Sequence, residues 1–457
     1  MSADTRTIDI AEVIEVRKLS AFNFTLIAVS WLITVFDGFD MMMIGFTAPY
    51  MRETLALDEL MLGNVFSAGL LGMMLGGFAF AYLGDRFGRR KAIIWSAFAF
   101  GILTFATGFA TSYEMLMALR FLDGFAIGGM LPLIWALNIE FVPKRMRSTV
   151  VTVIMMGYSI GAALAGPVTV WLAPEHGWPA VYFFGGACTL AITLVLVFTL
   201  PESIRFLAAK AIRPEVTAAT LNRLEPGLEA SADNRFILGD EERDTTHFHV
   251  AKLFKGDLKL LTPLLWLGYT ASTMAVYFTS NWGPIVFEDL DFSRDTAAYV
   301  GSITSVFGAG LGLLLMQFTD RKGPFSVAVY PMIALPLLLV TGLAAMGQDA
   351  FLILSVVAIS LVSGAHFGIL SIAGVYYPSA IRANGGGWAT SVAKVGGIAG
   401  PIVGGYILAS GLPVVRSFAI LAACPAILVL CAIGIGVIVR RRDTGQPAQT
   451  QEPVLST

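Results

Sequence analysis

"GDRFGRRK", residues 84–91, is a short charged turn between two apolar runs at about 61–83 and 92–110. Each run is close to the ~20 residues that a helix needs to cross ~30 Å of hydrocarbon. The turn therefore reads as a loop at a membrane surface. Its core returns as Asp320-Arg321 in "TDRKGP", 235 positions after Asp85-Arg86. "FVPKRMRS" and "YYPSAIRA" keep the same interval, with Pro143 and Arg147 lying 235 before Pro378 and Arg382. "GAALAGP" ending at Pro167 and "GGIAGP" ending at Pro401 follow one residue out of phase. A period that long is no solenoid unit. It marks duplication of a multi-helix half, the parallel repeat built around an axis along the membrane normal.

Composition agrees. Of 457 residues, 56% are hydrophobic and 14% charged, with a mean hydropathy of +0.74, where a soluble chain would carry about a quarter charged. Apolar runs fall at about 21–46, 61–83, 92–110, 114–138, 148–173, 179–200, 260–286, 296–318, 325–346, 350–376, 385–409 and 415–439. The expected fold is all-α: a polytopic membrane protein of twelve transmembrane helices in two pseudo-symmetric six-helix halves. The expected divisions are an N-terminal segment (1–20), a first half (21–200), a charged, Pro-punctuated central loop (201–259), a second half (260–439) and a tail (440–457). The first twenty residues show no apolar core before a small-residue cleavage site, so the first span is expected to be its own insertion signal. Loops on one side carry sixteen Lys and Arg, the central loop set aside; the opposite loops carry Arg52, Arg294 and Arg416. Cytoplasmic loops hold the positive excess, which puts both termini in the cytoplasm. A net charge of −2 gives no reason to expect nucleic acid. Cys188, Cys424 and Cys431 all fall in apolar runs and read as packing residues.

Several segments resemble one family. "GDRFGRRK", "RFLDGFAIGGMLP" (120–132), "GYSIGAALAGP" (157–167) and "PESIRFL" (201–207) are similar to the signature segments of the major facilitator superfamily, and the likeness runs from the first span to the twelfth. "DGFD" (37–40) and "YYPSAIRANGGGWA" (376–389) further resemble the aromatic acid:proton symporters. The resemblance implies alternating access, with an aromatic carboxylate and a proton carried together into a bacterial cytoplasm across the inner membrane. It also implies a monomer as the working unit, no cofactor and no resident metal. Substrate is expected between the halves, near the midplane.

Asp37 and Asp40 are three residues apart, hence on one helix face, and each costs ~2.5–3.5 kcal/mol at a helix centre. Two carboxylates this close and this poorly hydrated are suited to hold and release a proton near neutral pH, which is the role the resemblance implies for them. The plainer alternative is hydration of Asp40 at the membrane interface. Arg120 cannot lose its charge, so it needs an anion: Asp123 on the same face, an acid of the first span, or a substrate carboxylate gripped bidentately. Lys394 is a second intramembrane cation, for a carboxylate or for snorkelling to the surface. His366 could bond a substrate hydroxyl, relay a proton or merely pack. Asn281, Trp282, Tyr158 and Phe39 offer polar tips and ring faces to an aromatic guest.

Asp85, Arg86, Arg89, Arg90, Glu140 and Arg147, with Asp320, Arg321 and Arg382 as second-half counterparts, form the gating set; the resemblance implies a cytoplasmic latch between helices. Glu140 has Arg86 and Arg147 as candidate partners. His247 and His249 have no further ligand nearby and read as solvated loop. No nucleophile–base pair or nucleotide loop stands in the aqueous segments, so an enzyme is not expected. A proton-driven exporter and a non-transporting sensor on the same scaffold are the alternatives.

Overall fold

The computed structural model describes residues 6–239, 250–256, 258–377 and 382–445. Seventeen α-helices and two short strands are found among them. The strands are β1 (Thr7–Asp9) and β2 (Arg235–Ile237). Helices α1 (Ile10–Glu15), α2 (Ala21–Thr54), α3 (Glu59–Phe87), α4 (Arg89–Thr107), α5 (Tyr113–Ile127), α6 (Met130–Glu140), α7 (Arg147–His176) and α8 (Trp178–Thr199) carry the first half. The central loop holds α9 (Ile204–Ala209) and α10 (Pro214–Leu224). Then come α11 (Leu258–Glu288), α12 (Arg294–Lys322), α13 (Val329–Leu343), α14 (Gln348–Tyr376), α15 (Arg382–Ala409), α16 (Arg416–Leu421) and α17 (Ala423–Gly445).

Each apolar run of the sequence is helical, with α5–α6 sharing the fourth and α16–α17 the twelfth. Ten helical stretches among the described residues are long and apolar enough to cross a membrane. The other two long helices are more polar: α4 opens on Arg89, Arg90 and Lys91, and α11 carries Thr, Ser and Asn along its length. Local chemistry sets the ends. Ser20 and Asn23 form a reciprocal capping box at the start of α2, while Asp58 and Ser112 accept from Met61 N and Met115 N at the starts of α3 and α5, each satisfying an otherwise orphaned amide. Between α3 and α4 the chain turns at Gly88, whose φ of +101° only glycine adopts easily.

The described chain divides into two compact units. The first comprises Met1–Thr246 with Ser280–Val306 and Pro401–Ser410; the second comprises His247–Thr279, Phe307–Gly400 and Gly411–Thr457. Within the first unit, α2 packs most extensively on α7, and α3 on α5. The segments 280–306 and 401–410 are tied into it by Trp282, which donates from Nε1 to Pro401 O at 2.9 Å and meets the Phe66 ring edge-on. Ion pairs add to this: Arg52 bonds Asp289 at 2.9 Å, and Arg294 bonds both Glu53 and Glu288.

The only strands described are the parallel ribbon β1–β2, Thr7 opposite Arg235 and Asp9 opposite Ile237. Asp9 fastens it, accepting from Ala11 N at 2.9 Å and Gly239 N at 3.1 Å. Ile8, Ile10 and Ile14 sink into the same apolar cluster as Leu200, Ile204 and Leu221. The N-terminal segment is thus knitted to the central loop. Arg17, outside the spans, is nearly buried there against Ser20 and Asn23, and that burial pulls its pKa below the usual guanidinium range against the opposing pull of Glu225.

Candidate functional site

The first unit buries a cluster of charge. Arg120, on α5, reaches Asp40 on α2 through Nη1–Oδ2 at 3.3 Å and Nη2–Oδ1 at 3.2 Å, and pairs with Asp123 one turn along its own helix. All three are at most 4% exposed. Of the three anions open to Arg120 in the sequence, the two protein acids are both engaged. Its guanidinium also lies 5.1 Å from the Tyr182 ring centroid, and its Nε is buried without a hydrogen-bond partner.

Thr104 on α4 closes the cluster, its Oγ1 at 3.2 Å from Asp40 Oδ1 and 3.0 Å from Asp123 Oδ1. A hydroxyl has one proton to give. Thr104 can therefore bond both acids at once only if one carboxyl donates back, that is, carries a proton. Charge counting leads the same way: with every group ionised, one guanidinium and two carboxylates leave a net charge of −1 in a buried setting.

Asp37 is one turn from Asp40, fully buried, with no hydrogen-bond partner on either oxygen. An ionised carboxylate so placed would carry the full penalty of desolvation; a protonated one would not. Between the two acids, Gly38 sets α2 against α7: a Cβ there would lie 2.0 Å from Tyr158 O. Any side chain would push the helices apart and shift both carboxylates.

The remaining expectations divide. Phe39 is buried against Phe36 and Phe184, and Tyr158 is half-buried. Asn281 and Trp282 are buried, with Trp282 already spent on Pro401 O and Phe66. In the second unit, His366 Nδ1 stands 3.0 Å from Ser272 Oγ, and Lys394 is half-buried on α15.

At the end of the first unit that carries the N terminus, Glu140 pairs with Arg89 and accepts from Ser203 Oγ at 2.6 Å. These partners replace Arg86 and Arg147, because α4 begins beneath the end of α6 while Arg86 turns back along α3 to Tyr82 Oη at 2.8 Å. Arg90 is bonded to Leu200 O through Nε at 2.7 Å, and its amide donates to Glu202 Oε1 at 3.0 Å. Gly88 is needed here too, since a Cβ would meet Glu202 Oε2 at 2.3 Å. Asp85 is exposed and Arg147 half-buried. The side chains of Asp320, Arg321 and Arg382, and His247 and His249 entirely, lie outside the described residues. Thr104 and Tyr182 carried no signal in the sequence beyond ordinary span residues. Glu202 and Ser203 did, since they stand in "PESIRFL".

The profile of the Major Facilitator Superfamily matches residues 30–373. The chain is 33% identical over 446 residues to a gallate transporter of Pseudomonas putida, covering 97% of this chain and 98% of that one. It is 30% identical over 440 residues to the 4-hydroxybenzoate transporter PcaK of Pseudomonas aeruginosa, covering 96% and 98%. Among solved structures, the xylose transporter XylE from E. coli in a partially occluded inward open conformation superposes with a TM-score of 0.71 at 17% identity, over 92% of this chain and 98% of that one.

Proposed function

The chain belongs to the Major Facilitator Superfamily, related over nearly its full length to transporters of aromatic acids, and from that premise we propose that it is a symporter importing an aromatic carboxylate with a proton. The membrane is a bacterial inner membrane, both termini lie in the cytoplasm and the monomer is the working unit. The observation that carries the reading is the shared hydroxyl of Thr104, within hydrogen-bond reach of Asp40 and Asp123 while both hold Arg120.

Two acids on one guanidinium keep the cation occupied and the cluster negative, which repels an incoming carboxylate. A proton on Asp40 weakens its hold on Arg120 and removes that charge. The guanidinium, whose Nε is already unpaired, can then turn toward an anion. Asp37 supplies a neighbouring acid to which the proton can pass. Proton and substrate thus each favour the other's binding, and linkage makes the effect reciprocal. Within the second unit, Lys394 is a separate candidate contact for an anion, and His366, 3.0 Å from Ser272 Oγ, one for a ring hydroxyl. The Arg89–Glu140–Ser203 set acts as a cytoplasmic latch that breaks and reforms with the transport cycle.

Proteoliposomes provide the test. Adding benzoate, 4-hydroxybenzoate or gallate outside should make the external medium more alkaline as protons follow the acid inward, and uptake should rise with an inward proton gradient. No alkalinisation with any of them, together with uptake indifferent to the gradient, would favour an exporter or a sensor.

A further inference from the structure

The N-terminal end of the first unit contains a cavity of about 410 Å3, bordered by the Arg89–Glu140 pair. That lies within the ~300–1,000 Å3 of ordinary small-molecule sites. Ile139 of α6 with Phe206 and Ala209 of α9 make an apolar wall; four cations line the rest, Arg89, Arg147 at the start of α7, Arg205 of α9 and Lys210, against two acids, Asp85 and Glu140. Arg147 is half-buried, and its Nε is buried with no hydrogen-bond partner. A native chain seldom leaves such a group unmatched without a reason. Of the two lining acids, Glu140 is committed to Arg89 and Ser203, and Asp85 is exposed to solvent. The cavity therefore combines a guanidinium in want of an acceptor with a ring-bearing apolar surface.

That pairing selects the ligand. An inorganic anion would satisfy the cation and leave Ile139 and Phe206 uncovered, whereas a flat ring bearing a carboxylate satisfies both, with the guanidinium fork matched to the carboxylate and the ring packed on Phe206. We propose that this cavity is a second, weaker site for an aromatic carboxylate on the face to which the transporter delivers it, Arg147 holding the carboxylate, Arg205 adding positive charge to the same wall and Phe206 packing on the ring. The proposal rests on the import reading. Its walls come from α3, α4, α6, α7 and α9; α4 and α6 carry the paired Arg89 and Glu140, and α9 follows Ser203. An occupant would tie the central loop to the latch and slow its opening, so that acid accumulating inside throttles further import.

Photoaffinity labelling of the purified full chain with 4-azidobenzoate, followed by peptide mapping, is the test. An adduct is expected within residues 204–210, suppressed by excess benzoate and not by equal inorganic phosphate. In Arg147→Gln/Arg205→Gln it should fall at least ~tenfold. Should that double variant fold poorly, Phe206→Leu, which keeps both charges, should reduce labelling several-fold. Equal protection by phosphate, or labelling untouched by these substitutions, would overturn the proposal. So would absence of the adduct, and the alkalinisation assay on the same preparation then shows whether only this site fails or the import reading fails too.

Discussion

The two halves of this chain share a repeat but not a chemistry. At the 235-residue offset, Asp37, Asp40, Arg120 and Asp123 of the first half correspond to Ser272, Ala275, Ser355 and Ala358 of the second. The first set is four buried ionisable groups, three of them, Asp40, Arg120 and Asp123, joined with Thr104, and Asp37 one turn away without a partner. The second holds none: Ser355 turns back on its own helix to Leu352 O at 2.9 Å, and Ser272 bonds His366. At these four matched positions the charge stands in the first half only. Under the symport proposal, the first half's buried acids are where a proton would be held.

The contrast can be broken by substitution. Arg120→Gln should do the most harm, because it strands Asp40 and Asp123 without their cation; loss of ~3–5 kcal/mol of stability should appear as a lowered thermal midpoint, and accumulation of labelled 4-hydroxybenzoate should drop to background. Asp40→Asn should leave the fold intact yet reduce proton-driven accumulation by about tenfold or more, while exchange of substrate across the membrane without a gradient continues. Normal accumulation by that variant would mean the acids are structural. Glu140→Gln keeps the bond to Ser203 but loses the charge facing Arg89; a cost of ~1–3 kcal/mol should show as faster proteolysis around residues 200–205. In the second half, His366→Gln should shift substrate affinity by ~3–10-fold without altering its dependence on pH. Ser355→Ala, at the position matching Arg120, should change stability by less than ~1 kcal/mol and uptake hardly at all.

The architecture was readable because lipid imposes a length and a polarity on every span, and because the repeat places "GDRFGRRK" and "TDRKGP" at one interval. Arg120, Asp40 and Asp123 announced themselves as charges where charge is expensive. Which of them would meet was not readable: Arg120 had three candidate anions, and only the packing of α2, α4 and α5 assigns it two. Trp282 looked like a ring offered to a guest, yet its indole N–H found Pro401 O, a partner 119 residues away. Glu140 likewise took Arg89 and Ser203 over its expected arginines, since side-chain reach around a helix end is decided in three dimensions. The β1–β2 ribbon had no periodicity to reveal it, being three residues per strand.

Substrate affinity measured against pH in the purified protein tests the coupling most directly. If a proton on the Asp40 cluster admits the carboxylate, binding of 4-hydroxybenzoate should tighten steadily as pH falls over a range in which the ligand itself stays ionised, and Asp40→Asn should flatten that dependence while still binding. A wild-type affinity indifferent to pH, or an Asp40→Asn protein with the wild-type slope, would contradict it.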